Sequence, residues 1–147
     1  MAKLDSSQSR IFTSCWSTKI DESQFRRIGI SRSTPRGQKG FRRYAKLNPG
    51  PWFRSIPDER EWAKRYREEI LAPLDAQQTI DELLAMAEGR APVLLCWEPP
   101  EPGDDHCHRG LVAAWLWEEA RVTVCELGFE NEGCGASHPK LPRSLRR

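Results

Sequence analysis

Between Ser23 and Pro57 the 147-residue sequence has no aspartate or glutamate at all. That stretch carries Arg26, Arg27, Arg32, Arg36, Lys39, Arg42, Arg43, Lys46 and Arg54, a charge of +9, so the remainder is −7 and the formal total of +2 hides the split. One strongly positive segment on an acidic body focuses field towards a phosphate-bearing partner. Also missing is any apolar run near the ~20 residues of a membrane span. The opening MAKLDSSQSR has no apolar core of the kind an export signal needs. Both absences predict a cytoplasmic chain with no membrane partner. The five cysteines, Cys15, Cys96, Cys107, Cys125 and Cys134, are odd in number, which argues against a disulfide framework and predicts reduced thiols. There is no G-x-x-x-x-G-K-[ST] and no G-x-G-x-x-G. No cysteine is followed six positions later by arginine, so a tyrosine-phosphatase-type phosphate loop is excluded. Neither C-x-x-C nor H-x-x-x-H occurs, and no metal ligand is assigned.

What is present reads as alternating strands and helices. Residues 1–9 are polar and predict a frayed start. Arg10–Trp16 and Arg27–Ser31 are rich in strand formers, and Val93–Trp97 is a continuous apolar run suited to a strand buried on both faces. Asp58–Leu71 places Trp62, Tyr66 and Ile70 on one helical face. Asp75–Glu88 places Ile80, Leu83, Leu84 and Ala87 at buried-stripe spacing, with Gly89 as the stop. A helix over Cys107–Ala120 and a last strand at Val122–Cys125 follow. Between Ser33 and Phe53 the prolines and glycines predict a long basic loop. The expectation is one α/β domain over residues 10–126, with three layers, a short and mostly parallel sheet, and a tail over 127–147.

Chemistry concentrates in the stretch from Leu95 to Leu111, a strand end, a loop and a helix start. Carboxyl ends of parallel strands and helix N-termini are where open α/β sheets bind anions. Glu98, Cys107, His108 and Arg109 are the candidate catalytic residues there. A thiol in a helix first turn beside a cation gains thiolate character. His108 supplies a base, and Arg109 a bidentate clamp for anion oxygens. Each has a plainer reading: Arg109 as a bridge to Asp104 or Asp105, and Cys96, between Leu95 and Trp97, as a core thiol. Arg32, Ser33, Thr34, Arg36, Lys39, Arg42, Arg43 and Tyr44 are candidate contacts to a nucleotide or nucleic acid. Phe25, Phe41, Tyr44, Trp52 and Phe53 interleave with the charges, either to stack on bases or to form a small core of the loop's own.

The Cys96-Trp97-Glu98 and Cys107-His108-Arg109 elements resemble the bacterial and phage family known as domain of unknown function 488. Ile30-Ser-Arg-Ser-Thr-Pro35, Gly40 to Tyr44, Leu47-Asn-Pro49 and the Ile11-Phe-Thr-Ser strand are similar to that family's opening, and the resemblance covers about residues 10 to 126. This chain has a longer loop before Cys107 and a tail beyond the last strand. The resemblance implies the fold and the place of the site and leaves reaction and cofactor unassigned. The functional expectation is an enzyme acting on a phosphate-bearing ligand. The alternatives are a non-catalytic nucleic-acid-binding accessory protein and a zinc-stabilised interaction module.

Overall fold

The computed structural model describes residues 10–101 and 106–147. The expected frayed start at 1–9 lies outside them. Five strands, β1 (Ile11–Cys15), β2 (Phe25–Gly29), β3 (Arg42–Arg43), β4 (Ala91–Cys96) and β5 (Val124–Glu126), form one sheet in the order β3-β2-β4-β1-β5. Every neighbouring pair is parallel, with Cys15 beside Cys96 and Gly29 beside Leu95. Parallel order puts all carboxyl ends on one edge, which is the edge that matters below.

Three helices carry the long crossovers. Helix α1 (Glu59–Tyr66) starts at Asp58, whose carboxylate accepts from the Arg60 amide, and continues into a wide π-type turn over Arg67–Leu71. Helix α2 (Ala76–Ala87) starts at Asp75, which caps the Gln78 amide. It ends with Glu88 and Gly89 both in the left-handed region, where glycine carries no Cβ penalty. Helix α3 (His108–Ala120) joins β4 to β5. No helix among the described residues is long and apolar enough to cross a membrane.

The alternation of side chains along β4 divides the core in two. Leu94 faces the helices, with Ile11, Ile28, Val124 and the buried stripes of α1, α2 and α3. Val93 and Leu95 face the other way, where Trp16, Phe12, Ile20, Phe25, Phe41 and Leu127 cover the sheet from loops and strand faces. Among the described residues the cover on that side is aromatic side chains from loops and strands, without a helix.

Two features depart from the sequence reading. The stretch over 33–53 is not plain loop: it holds edge strand β3 and 3-10 turns at Ala45–Leu47 and Pro51–Arg54. Its aromatic rings are packed beneath it. Phe41 meets Trp16 edge-on at 5.0 Å, and Trp52 meets Trp62 at 5.2 Å. The segment after Leu127 also folds onto α3. His138, Lys140 and Leu141 are buried there, and a Cβ on Gly110 would come within 2.5 Å of the Leu141 nitrogen.

Candidate active site

Strand β2 ends at Gly29 and β4 at Cys96, and the chain leaves both onto the same edge. There Ser31, Arg32 and Ser33 face the Cys96-Trp97-Glu98 turn and the start of α3 across a cavity of about 540 Å³. Phe53, Arg54 and Trp62 close the third side, and His106, Cys107 and His108 also line it. Its size suits a nucleotide-sized ligand rather than a long groove. The Trp16 indole donates to Ser31, and Trp62 donates to the Phe53 carbonyl, so hydrogen bonds hold both walls in place.

The cationic wall is built on one ring. The Arg32 guanidinium lies 5.7 Å from the Phe53 centroid and that of Arg54 5.1 Å from it, while Arg32 also donates to the Pro49 carbonyl at 3.0 Å. Both arginines are otherwise exposed. Cys107 stands at the N-cap of α3 with no side-chain cap on the first turn, adding the positive end of a helix to the same cavity.

The sulfur wall lies opposite. His108 Nε2 is 2.8 Å from the Ile30 carbonyl oxygen, which can only accept. Nε2 therefore carries the proton, and Nδ1 turns its lone pair to Cys107 Sγ at 3.5 Å. Burial, with a smaller push from Arg109, drives the His108 pKa down to about 4, so the ring is neutral and basic at Nδ1. Cys96 Sγ receives Arg109 Nη1 at 2.9 Å. The pairing of Cys96 with Cys107, and of Cys125 with Cys134, corrects the expectation of reduced thiols throughout: only Cys15 is free. The odd count misled, because four cysteines can pair locally with none of the features of a secreted framework. The ligand atoms of Cys96, Cys107 and His108 lie within 4.8 Å of one another and could also hold a metal ion.

The structure thus brings Glu98, Cys107 and His108 together with Arg32 and Ser33. It does not bring Arg109 to the cavity. Arg109 is wholly buried, with Nε and Nη2 on the Glu126 carboxylate and Nη2 also on the Glu98 carbonyl at 2.9 Å. With its fork filled by protein acceptors it has no free edge to clamp an anion in the cavity. Asp104 and Asp105, its expected partners, lie outside the described residues. Behind it a buried chain runs in one direction. The Lys140 amide donates to His138 Nδ1, His138 Nε2 to Thr13, and Thr13 to Glu126 at 2.7 Å. Burial first, then Arg109, Lys140 and Arg146, lowers the His138 pKa to about 3.

Of the remaining expected contacts, Tyr44 is corrected outright. It is buried, donates to Glu82 at 2.5 Å, and burial with Glu82 raises its pKa to about 12, so it offers no stacking face. Arg36, Lys39, Arg42 and Arg43 are exposed and form a basic rim of the 33–53 stretch itself, outside the cavity wall, and half-buried Thr34 does not line the cavity either. Arg42 pairs with Glu88. Sequence reasoning missed Arg54 and Trp62, which only the fold returns to this edge; its reading of Cys96 as a buried thiol holds, although the same residue also lines the cavity.

A family model described as DUF488-N3a, active DUF488-N3 subclade, matches residues 11–120. No curated protein and no solved structure matches the chain.

Proposed function

The chain belongs to the active DUF488-N3 subclade, and from that premise we propose that it is an enzyme acting on a phosphate-bearing ligand, a nucleotide or the end of a nucleic acid, in the cavity at the carboxyl edge of β2 and β4. One observation carries the reading: Arg32 and Arg54 share one wall of the cavity that Glu98, Cys107 and His108 share on another. A phosphate between the two guanidiniums places the rest of the ligand against Trp62, Trp97 and the sulfur wall. In the reduced protein Glu98 takes the Cys107 proton, the thiolate attacks the held phosphorus as the bond to the leaving group breaks, Glu98 returns that proton to the leaving group, and water then frees the phosphate from Cys107, with the neutral His108 Nδ1 orienting the thiol. Arg109 steadies Cys96 and the Glu98 backbone from behind. A cytoplasmic setting belongs to this proposal, because reduced thiols persist there.

A second reading, a non-catalytic nucleic-acid binder, is favoured by the exposed rim of Arg36, Lys39, Arg42 and Arg43. The test is a turnover screen of nucleoside phosphates and 5′-phosphorylated oligonucleotides under reducing conditions. Consumption of one of them, abolished by Cys107→Ser and strongly reduced by Glu98→Gln, is expected. Salt-sensitive binding with no turnover, or turnover indifferent to both substitutions, overturns the catalytic reading.

A further inference from the structure

The two cysteines of the sulfur wall arrive from different elements and meet different neighbours. Cys96 closes β4 and receives an N–H from the buried guanidinium of Arg109 at 2.9 Å, a contact that favours its thiolate. Cys107 caps α3, whose N-terminal end favours a thiolate there, and faces the unprotonated Nδ1 of His108 at 3.5 Å. Both line the same cavity, and the two sulfurs are paired. The second pair, Cys125–Cys134, lies on the far side of β1 at the sheet edge, with the Cys134 sulfur 3.6 Å from the Glu130 carbonyl oxygen. A structural staple needs nothing to stabilise a thiolate. A pair that opens and closes uses such a group at each sulfur, here the Arg109 guanidinium and the α3 N-terminus.

We propose that Cys96 and Cys107 form a redox-active dithiol that exchanges with low-molecular-weight disulfides entering the cavity. This rests on the reading of Cys107 as the reacting thiol and adds to it a second substrate class and a control. In the oxidising direction Cys107 gives its proton to water at the cavity mouth, and the thiolate attacks one sulfur of the small disulfide. A mixed disulfide forms on Cys107, the S–S bond of the reagent breaks, and a first small thiolate leaves with that proton. The Cys96 thiolate then attacks the Cys107 sulfur, forming the Cys96–Cys107 bond and releasing the second small thiolate, which takes up the Cys96 proton. Two protein thiols and one small disulfide become one protein disulfide and two small thiols, and two small thiols run the sequence backwards. Oxidation withdraws the nucleophile and leaves Arg32, Arg54 and Phe53 untouched, so the oxidised protein keeps its anion site and loses its chemistry.

The experiment equilibrates the full chain in a series of glutathione redox buffers, quenches with acid, alkylates with N-ethylmaleimide and maps the peptides by mass spectrometry, with zinc measured on the same preparation. The expected result is a Cys96–Cys107 link that appears and disappears as one two-electron unit. Cys96→Ser should accumulate glutathione on Cys107 at least about tenfold over wild type, because the resolving thiol is gone. Should that variant fail to fold, the wild-type series decides alone. Three results overturn the proposal: no link between these residues in the oxidised chain, a link that glutathione does not reduce, or about one equivalent of zinc that blocks exchange until chelated. Nucleoside monophosphate binding is measured in parallel on the oxidised and reduced chain. Binding absent from both states refutes the phosphate-ligand reading and leaves the exchange result standing.

Discussion

The side chains of Arg109 and Glu126 form an ion pair wholly out of solvent, with Nη2 2.6 Å from Oε2. The pair ties α3 to β5, and the same guanidinium reaches Cys96 and the Glu98 carbonyl. A buried charge without its partner costs more than the pair contributes. Arg109→Ala, which strands the Glu126 carboxylate, is expected to lose about 3–5 kcal/mol of unfolding free energy. Arg109→Lys keeps the charge but drops most of the fork, and should lose about 1–3 kcal/mol. Urea denaturation measures both. A loss under about 0.5 kcal/mol for either would mean that the pair is no more than a surface bridge.

Stability should fall on mild acidification. His108 and His138 are neutral in the folded protein, with pKa values pushed down to about 4 and about 3. In the unfolded chain they are ordinary histidines near 6.5, on the order of model peptides. The unfolded state therefore binds more protons as pH drops below that value, and unfolding becomes easier. The contribution is complete above about pH 6.5 and is lost as pH falls towards the folded values. Unfolding free energy measured between pH 7.5 and pH 5 (on the order of the unperturbed histidine range) should decrease, and His138→Gln should have the shallower slope. A flat profile in the wild type would contradict the burial of both rings as neutral species.

The segment after β5 should behave as part of the domain. Gly110 sits in the first turn of α3 directly beneath it, where a Cβ would meet the Lys140 carbonyl carbon and the Leu141 nitrogen at 2.5 Å. Backbone cannot move aside as a side-chain tip can. Gly110→Ala is expected to destabilise by about 1–3 kcal/mol although alanine is the better helix former. A rise in melting temperature would show that the segment is not seated there.

Legibility from sequence followed the range of the forces involved. The α2 stripe of Ile80, Leu83 and Ala87 is a local signal, and it appears at the expected place. The convergence of Glu98, Cys107 and His108 was legible because strand end and helix start are near in sequence. Glu126 and His138 were not, because a carboxylate and an imidazole carry no local mark of what they will face across β1. Arg109 was misassigned for the same reason: its partner is 17 residues away, on another element. The aromatics of the basic stretch could have stacked on bases or on one another. Only the fold, by setting Phe41 on Trp16 and Tyr44 against Glu82, decides it.

The rim and the cavity should separate by mutation. Replacing Arg36, Lys39, Arg42 and Arg43 with alanine removes exposed charge, at a cost within about 0.5 kcal/mol per site. Binding to single-stranded nucleic acid should weaken and its salt slope should flatten. Affinity for a mononucleotide should stay within about twofold, since none of the four lines the cavity. Equal losses for both ligands would place the mononucleotide on the rim.

On the proposed reading Arg32 and Arg54 hold a phosphate in the cavity beside Cys107. Calorimetric titration of the reduced full chain with a nucleoside 5′-monophosphate, and with the same nucleoside lacking phosphate, tests it directly. Each charge-assisted contact is worth about 1.5–3 kcal/mol, so the Arg32→Ala/Arg54→Ala chain should bind the monophosphate at least about tenfold more weakly. Its response to the bare nucleoside should be unchanged. Equal affinity of the wild type for both compounds, or a monophosphate affinity that survives loss of both arginines, would contradict the account.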